Sequence, residues 1–260
     1  MFTRRTLPDD LEAVRAAHAP DALVLDTERD FETLPPAVAE DLGLLVDSLD
    51  PAAYPGEWLP DDAPDVLRRY AGSDFTVGMP GDGTVTWTRQ TVPPTVLVKA
   101  RAEGTPEDFL DFLVAEAFVQ VGLDVPEHFL PFFGERYRLL DDAIPLGPGD
   151  VYQIATALYE GWLGLQTRAV FADWESDLPR LHAAWVDAGE RLTDRLDDLP
   201  GAVARGETDF ADATEFACAA IKHDLELPAP FAALETKAYR EYGAEYAVRW
   251  AEKTFERLRE

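Results

Sequence analysis

The sequence predicts a mainly α-helical protein, a multi-helix bundle carrying one small antiparallel β-meander near residues 74–100. Three observations carry that prediction. Apolar residues recur at helical spacing through nearly all of the chain beyond residue 105. One short stretch, Thr84-Val85-Thr86-Trp87-Thr88, alternates strictly, with Val85 and Trp87 on one face and threonines on the other. The connections between the long helical patterns are short and polar, which favours antiparallel helical neighbours.

The first seventy residues read as short helices separated by proline. Residues 9–19 bring Leu11, Val14 and Ala17 to one face, and residues 36–49 do the same with Val38, Leu42, Leu45 and Leu49. Residues 49–65, rich in proline and aspartate, read as a loop, and residues 64–70 as a short helix closed by Gly72. The period then changes to two. Phe75-Thr76-Val77, the turn Pro80-Gly81-Asp82-Gly83, the alternating stretch and Thr95-Val96-Leu97-Val98 predict the meander, half buried through Val85 and Trp87. Thr105-Pro106-Glu107-Asp108 predicts a helix start, with Thr105 as cap and acids at the positive end of the helix dipole. That helix extends to about Val121. Others are predicted over residues 126–140, 150–171 (Asp150 as cap), 176–196 (Ser176 as cap), 210–224 and 231–258. The pattern fits a division into residues 1–103 and 104–260, or one continuous domain. Trp87, Phe112, Phe118, Leu158, Trp162, Leu181 and Trp185 are the expected core.

Charge narrows the partners. The 260 residues carry 50 acidic and 23 basic side chains, a net −27, and of the basic ones four are lysine and nineteen arginine. Such an excess disfavours nucleic acid and anionic membranes, both polyanions. It also makes the folded body repel itself unless salt screens it. In about 1 M salt the screening length falls to roughly 3 Å and most of the repulsion goes. The composition therefore resembles that of halophile cytoplasmic proteins, and a cytoplasmic location is expected. The twin arginine Arg4-Arg5 is followed by Pro8-Asp9-Asp10 rather than an apolar stretch, so it does not read as an export signal. Residues 109–123 are too short and too often interrupted by charge to span a bilayer. A single cysteine, Cys218 among small apolar residues, reads as packing.

Linear signatures of phosphate loops, dinucleotide folds, hydrolase elbows and zinc proteases are missing, and no cofactor is predicted. What stands out is polar residues set on apolar helix faces. Glu116 and Gln120 interrupt a helix that is apolar nearly all round, either as a rim stripe, as a pair with an arginine such as Arg136, or as part of a site. Thr156 and Glu160 form a similar track, or a solvated back face. His182 falls inside the arc of Leu178, Leu181, Trp185, Ala188 and Leu192, on the inner face or its rim. Glu116, Glu160 and His182 are thus the candidate residues for a metal or acid–base site between helices. Of the other histidines, His128 reads as exposed at a helix start, His223 as a cation near a helix end, and His18 as part of a loop approach. Tyr239, Tyr242, Tyr246 and Trp250 make an aromatic stripe suited to core packing, a ligand platform or a dimer seam.

The chain resembles one of the uncharacterised protein families of halophilic archaea, a domain of unknown function. The resemblance lies in the acidic, lysine-poor composition and in the block from Gly83-Thr84-Val85-Thr86-Trp87-Thr88 to Glu107-Asp108-Phe109-Leu110-Asp111-Phe112-Leu113. It implies no functional residue. On the residues alone, a non-catalytic protein-interaction or regulatory protein, with a protein partner or homo-oligomer, is favoured slightly. The alternative is a small-molecule enzyme or metal-binding protein.

The charge argument makes a direct prediction. Unfolding midpoints across a potassium chloride series should rise steadily from about 0.1 M toward molar salt, as screening relieves the net −27. A flat or falling series would contradict it.

Overall fold

The computed structural model describes residues 2–31, 33–72 and 83–259. More than half of them are helical. In chain order the elements are β1 (Phe2–Arg4), α1 (Asp9–His18), β2 (Leu23–Thr27), α2 (Pro36–Gly43), β3 (Ser48–Leu49), α3 (Asp65–Ala71), β4 (Val85–Thr88), β5 (Thr91–Val92), β6 (Thr95–Val98) and α4 (Glu107–Gly122). There follow α5 (Phe129–Phe133), α6 (Arg136–Ala143), α7 (Pro148–Ala172), α8 (Trp174–Asp177), α9 (Pro179–Leu196), α10 (Leu199–Arg205), α11 (Phe210–Ile221) and α12 (Lys237–Leu258). Among the described residues, no helix is long and apolar enough to cross a membrane. The chain forms two compact units. The first comprises Met1–Tyr54, Asp65–Glu127 and Asp173–Ala184, and the second Pro55–Pro64, His128–Ala172 and Trp185–Glu260.

The first unit is built on a four-stranded mixed sheet of order β1-β2-β6-β4. The two central strands are parallel, paired from Leu23 with Thr95 to Asp26 with Val98, and the outer two join them antiparallel. All four residues of β6 are buried, as a parallel strand covered on both faces requires. On one face Leu25 and Leu97 pack with Leu34, Ala39 and Leu42 of α2 and the segment before it. Alternation turns Val24 and Val96 to the other face, where α4 lies against β4 and β6. Here Trp87 Nε1 donates to Gln120 Oε1 at 2.6 Å. Helix α1 meets the end of α4 at Gly122, where a Cβ would stand 2.4 Å from the His18 carbonyl oxygen. A two-stranded ribbon, β3 with β5, completes the unit.

The second unit is helical. Helices α7 and α11 cross closely because Gly161 and Gly164 leave room for Cys218, Ile221 and Lys222, which a Cβ would meet at 2.9–3.1 Å. Tyr239 of α12 donates its hydroxyl to the Leu158 carbonyl of α7. Phe210, Phe231, Trp250 and Phe255 form an aromatic cluster at the far end of α12.

Several local features depart from the sequence expectation. Strands β1 and β2 occupy segments expected to be helix or loop, so the sheet is mixed rather than a purely antiparallel meander. A short apolar run such as Leu23-Val24-Leu25 has no periodicity of its own, and its pairing with β6 decides its state. The expected antiparallel pair survives as β4 with β6. The strand expected at Phe75-Thr76-Val77 and most of its turn lie outside the described residues. Helix α2 stops at Gly43, because Asp47 and Leu49 turn to pair with the β5 strand. The helix expected over 126–140 is broken at Gly134, whose φ of +55° only glycine adopts without strain. Thr105 does not cap α4, which starts after Pro106. Ser176 lies inside the short α8, and α9 begins at Pro179, where proline's fixed φ suits a first turn. Of the seven expected core residues, six are buried and Trp162 is half-buried.

Three substitutions test this packing. Phe118→Ala should cost on the order of 3–5 kcal/mol, since the ring is wholly enclosed. Gly122→Ala should cost roughly 1–3 kcal/mol by forcing α1 from α4. Gly149→Ala, with open space at its Cβ, should leave stability unchanged or slightly raised. Chemical-denaturation midpoints in constant high salt would separate the three.

Candidate functional site

The sequence candidates land in different surroundings. Glu116 is 7 % exposed on α4, as its apolar helix demands. Its neighbour Gln120 is accounted for by the Trp87 hydrogen bond. His182, in the opening turns of α9, is half-buried, on the rim of the apolar face. Glu160 of α7 is exposed, and Thr156 beside it donates back to the Tyr152 carbonyl of its own helix at 3.1 Å. Glu116 and His182 thus belong to the first unit and Glu160 to the second. Among the described residues no group of three or more His, Cys, Asp and Glu side chains is arranged to hold a metal ion. The aromatic stripe of α12 is largely committed inward. Tyr239 and Trp250 are buried, Tyr246 donates to the Ala233 carbonyl at 2.8 Å, and Tyr242 alone of the four is exposed. Cys218 is buried, which pushes its thiol pKa up and keeps it protonated.

Two histidines are held neutral by their surroundings. His128 is 5 % exposed rather than solvent-facing as expected, because it caps α5: its Nδ1 accepts from the Leu130 amide at 3.2 Å. Burial lowers its pKa to about 3. His223 stacks against Trp185 and donates from Nδ1 to the Trp185 carbonyl at 2.8 Å. Burial, aided by the Lys222 charge, lowers its pKa to about 4. It is therefore a neutral hydrogen-bonding side chain, not the helix-end cation expected. His18, the last residue of α1, is half-buried, and burial lowers its pKa as well.

Arg180, in the first unit, gathers three carboxylates. Its guanidinium takes Asp10 bidentately at 2.8 and 2.9 Å, Asp108 at 2.7 Å and Asp111 at 2.8 Å. These contacts tie α9's first turns to α1 and α4. Hydrogen bonding to Arg180 holds the Asp10 carboxyl below the usual carboxylate range. Asp111 is 3 % exposed, a depth at which a carboxylate needs such a partner.

Two concave features among the described residues of the first unit lie on either side of Arg5. One is a cavity of about 230 Å³ lined by Arg5, Asp26, Thr27, Lys99 and Glu103, with Val98, Ala100, Ala102 and Leu110 as apolar wall. It opens at the carboxyl ends of the parallel strands β2 and β6, the end at which open α/β sheets receive ligands. Lys99, the residue after β6, is 1 % exposed overall, and its ammonium sits 4.9 Å from the Phe31 ring centroid. Arg101 holds the loop beyond β2 in place through Asp30 at 2.7 Å and the Phe31 carbonyl at 2.9 Å. Arg5 pairs with Asp26 at 2.7 Å. A second concavity, about 130 Å³, is lined by Arg4, Arg5, Leu7, Glu12, Arg15, Leu23 and Val24. Sequence reading missed this region. Its one available signal was a lysine directly after the apolar run Val96-Leu97-Val98, in a chain with four lysines.

Residues 1–258 match the model of a family of unknown function, DUF7089, and the chain belongs to that family. No curated protein and no solved structure matches it.

The neutral histidines predict a pH effect. Below the ordinary imidazole pKa of about 6.5, the unfolded chain takes up protons that folded His128 and His223 refuse. Stability present at neutral pH should therefore fall as pH drops from that value toward about 4 for His223 and 3 for His128. The loss is at most about 1.4 kcal/mol per pH unit for each histidine. His128→Asn, whose side-chain oxygen can also cap α5, should flatten the slope in denaturation series run between neutral pH and pH ~5. An unchanged slope in this variant would exclude His128 as a source.

Proposed function

We propose that this member of a family of unknown function is a non-catalytic, regulatory protein that binds a small polar molecule carrying both a positive and a negative group. The observation that supports it most is the cavity at the carboxyl ends of β2 and β6. Its charged lining is balanced, Arg5 and Lys99 against Asp26 and Glu103. Arg5 and Asp26 already pair with each other at 2.7 Å, so a net-neutral zwitterion adds a partner of each sign without disturbing the balance of the lining, whereas a ligand of one charge sign would upset it. A volume of about 230 Å³ lies below the usual range for drug-sized ligands and suits a molecule the size of an amino acid. A protein partner, or a second copy of the chain, belongs to the same proposal as the element that would sense the occupied state.

The setting we infer is the cytoplasm of a halophilic archaeon, supported by the net −27 and the scarcity of lysine. In molar salt a point charge attracts weakly beyond about 3 Å. Recognition there relies on short, directional hydrogen bonds, which arginine provides in greater number than lysine. A second reading keeps Glu116 as an acid–base or metal-binding group. The burial of Glu116 on an apolar helix supports it.

Thermal unfolding in constant molar potassium chloride, with single free amino acids at millimolar concentration, tests the first reading. A bound ligand should raise the midpoint saturably by mass action. Lys99→Met, which keeps the apolar stem, should abolish that rise, as should Asp26→Asn. No rise with any amino acid, or equal rises in all three proteins, would refute the proposal. Divalent cations assayed in the same way against Glu116→Gln test the second reading.

A further inference from the structure

On the other side of Arg5 the charge balance reverses, and the geometry points to a second, separate site for a compact oxyanion, a phosphate group. The concavity of about 130 Å³ presents three guanidinium groups, Arg4, Arg5 and Arg15, and one carboxylate, Glu12, over a floor of Leu7, Leu23 and Val24. Counting Asp26, which pairs with Arg5 from outside the lining, three guanidinium groups face two carboxylates here, a net +1 on a chain of net −27. Arg5 and Arg15 are each offset by a carboxylate, and Arg4 is left as the charge that a bound anion would offset.

The arrangement comes from the fold. Arg4 ends the edge strand β1, opposite Leu25 of β2, and Arg5 follows it with its amide donating to the Val24 carbonyl at 3.0 Å. Arg15 rises from α1 beside them, tethered at 2.5 Å to Glu12 of its own helix. Each paired arginine spends part of its donor set on its carboxylate. Arg5 uses Nη1 toward Asp26, and Arg15 uses Nη2 toward Glu12 and Nη1 toward the Ala22 carbonyl at 3.5 Å. A guanidinium has five N–H donors, so both retain donors for a ligand. Arg4 is exposed and has no ion-pair partner among the described residues.

The ligand class follows from size and donor geometry. A concavity of about 130 Å³ is less than half the lower bound for drug-sized sites, which rules against a whole nucleotide inside it. Planar guanidinium forks match the oxygens of a tetrahedral oxyanion and give no such advantage to a spherical halide. That preference lets a phosphate group compete in concentrated chloride. The chemistry is common to free phosphate and to the terminal phosphate of a small monoester. The site shares only Arg5 with the balanced cavity and does not depend on the reading given for that cavity.

The test uses the full chain in constant molar potassium chloride at pH ~7.5. Inorganic phosphate and glycerol phosphate are titrated separately, by calorimetry and by unfolding midpoint, with potassium acetate as the control anion. Saturable binding of phosphate is expected, with a dissociation constant weakened about tenfold or more in Arg4→Gln and further in Arg4→Gln/Arg15→Gln. Arg4 is exposed, so its single variant folds irrespective of any role for Arg15. Lys99→Met should bind phosphate as the unaltered chain does, which separates this site from the neighbouring cavity. Saturation by both probes identifies a terminal phosphate group as the ligand, and saturation by inorganic phosphate alone identifies the free ion. A midpoint that rises without saturation and equally in all variants is the general effect of an excluded salt and overturns the proposal. Binding unchanged by Arg4→Gln/Arg15→Gln overturns it too.

Discussion

The parallel pairing of β2 with β6 is the constraint from which the first unit's chemistry follows. The strands are some seventy residues apart in sequence, and their register aligns Asp26 with Val98. Their carboxyl ends therefore open together, bringing Thr27 beside Lys99 and aiming both following loops at one cavity. The antiparallel addition of β1 to β2 then brings Arg4 and Arg5 to the same sheet from the chain's first residues. The cost is the conformational entropy of closing a loop of some seventy residues before the two short strands can pair. The buried faces of Leu25 and Leu97 against α2 offset that cost.

A chain so rich in carboxylates uses its few cations as junctions. Arg180 binds three aspartates from two helices. In the second unit Arg168 binds Asp224 and Glu235, each at 3.0 Å. One guanidinium can serve several partners because its donors are fixed in a plane and point in different directions. Contacts at such distances lie within the screening length of molar salt, so they persist while long-range repulsion is suppressed. The scarcity of lysine is consistent with this division of labour. Lys99 is an exception in being enclosed, with an aromatic face beside its ammonium.

Helices were legible in the sequence wherever an apolar stripe ran for three turns or more, as in α4, α7, α9, α11 and α12. Their breaks were less so. Gly134 and Gly243, with φ of +55° and +47°, interrupt patterns whose periodicity continues across them. At Gly243 the helix kinks, and Trp162 and Gln166 donate to the Arg240 carbonyl at 3.1 Å. Strand β1 was illegible because three residues cannot establish a period, and β2 because its Leu23-Val24-Leu25 run does not alternate. The burial of Glu116 could be read from its helix, since nearly every direction from that helix is apolar. The exposure of Glu160 was one of two readings its helix offered, because α7 is long enough to have a solvated stripe. His128 was misread as exposed because a helix start between Glu127 and Pro131 resembles a solvated one, while its ring serves the backbone of α5. Arg5 and Lys99 had no local signal of cooperation, being joined only by the sheet.

A polar residue on an apolar face is therefore an ambiguous sign, and what surrounds it decides the meaning. Gln120 fastens Trp87 to α4. Thr167 and Thr214 return their hydroxyls to the carbonyls of their own helices at 3.1 and 2.7 Å. Glu127 accepts from the Arg89 amide and from Gln90 Nε2, while the Arg89 guanidinium donates to the Leu123 and Val125 carbonyls. Among the described residues no buried side-chain nitrogen or oxygen lacks a hydrogen-bond partner. Satisfied polar groups of this kind hold backbone in place and have no spare capacity for a ligand. Arg5 differs because open volume lies on both sides of it and its donors outnumber its carboxylate partner. Polarity with adjacent space marks a site, whereas polarity without it marks a structural tie. That distinction depends on the sheet that sets Arg5 between the two concavities, and so it arises only once β1, β2 and β6 have paired.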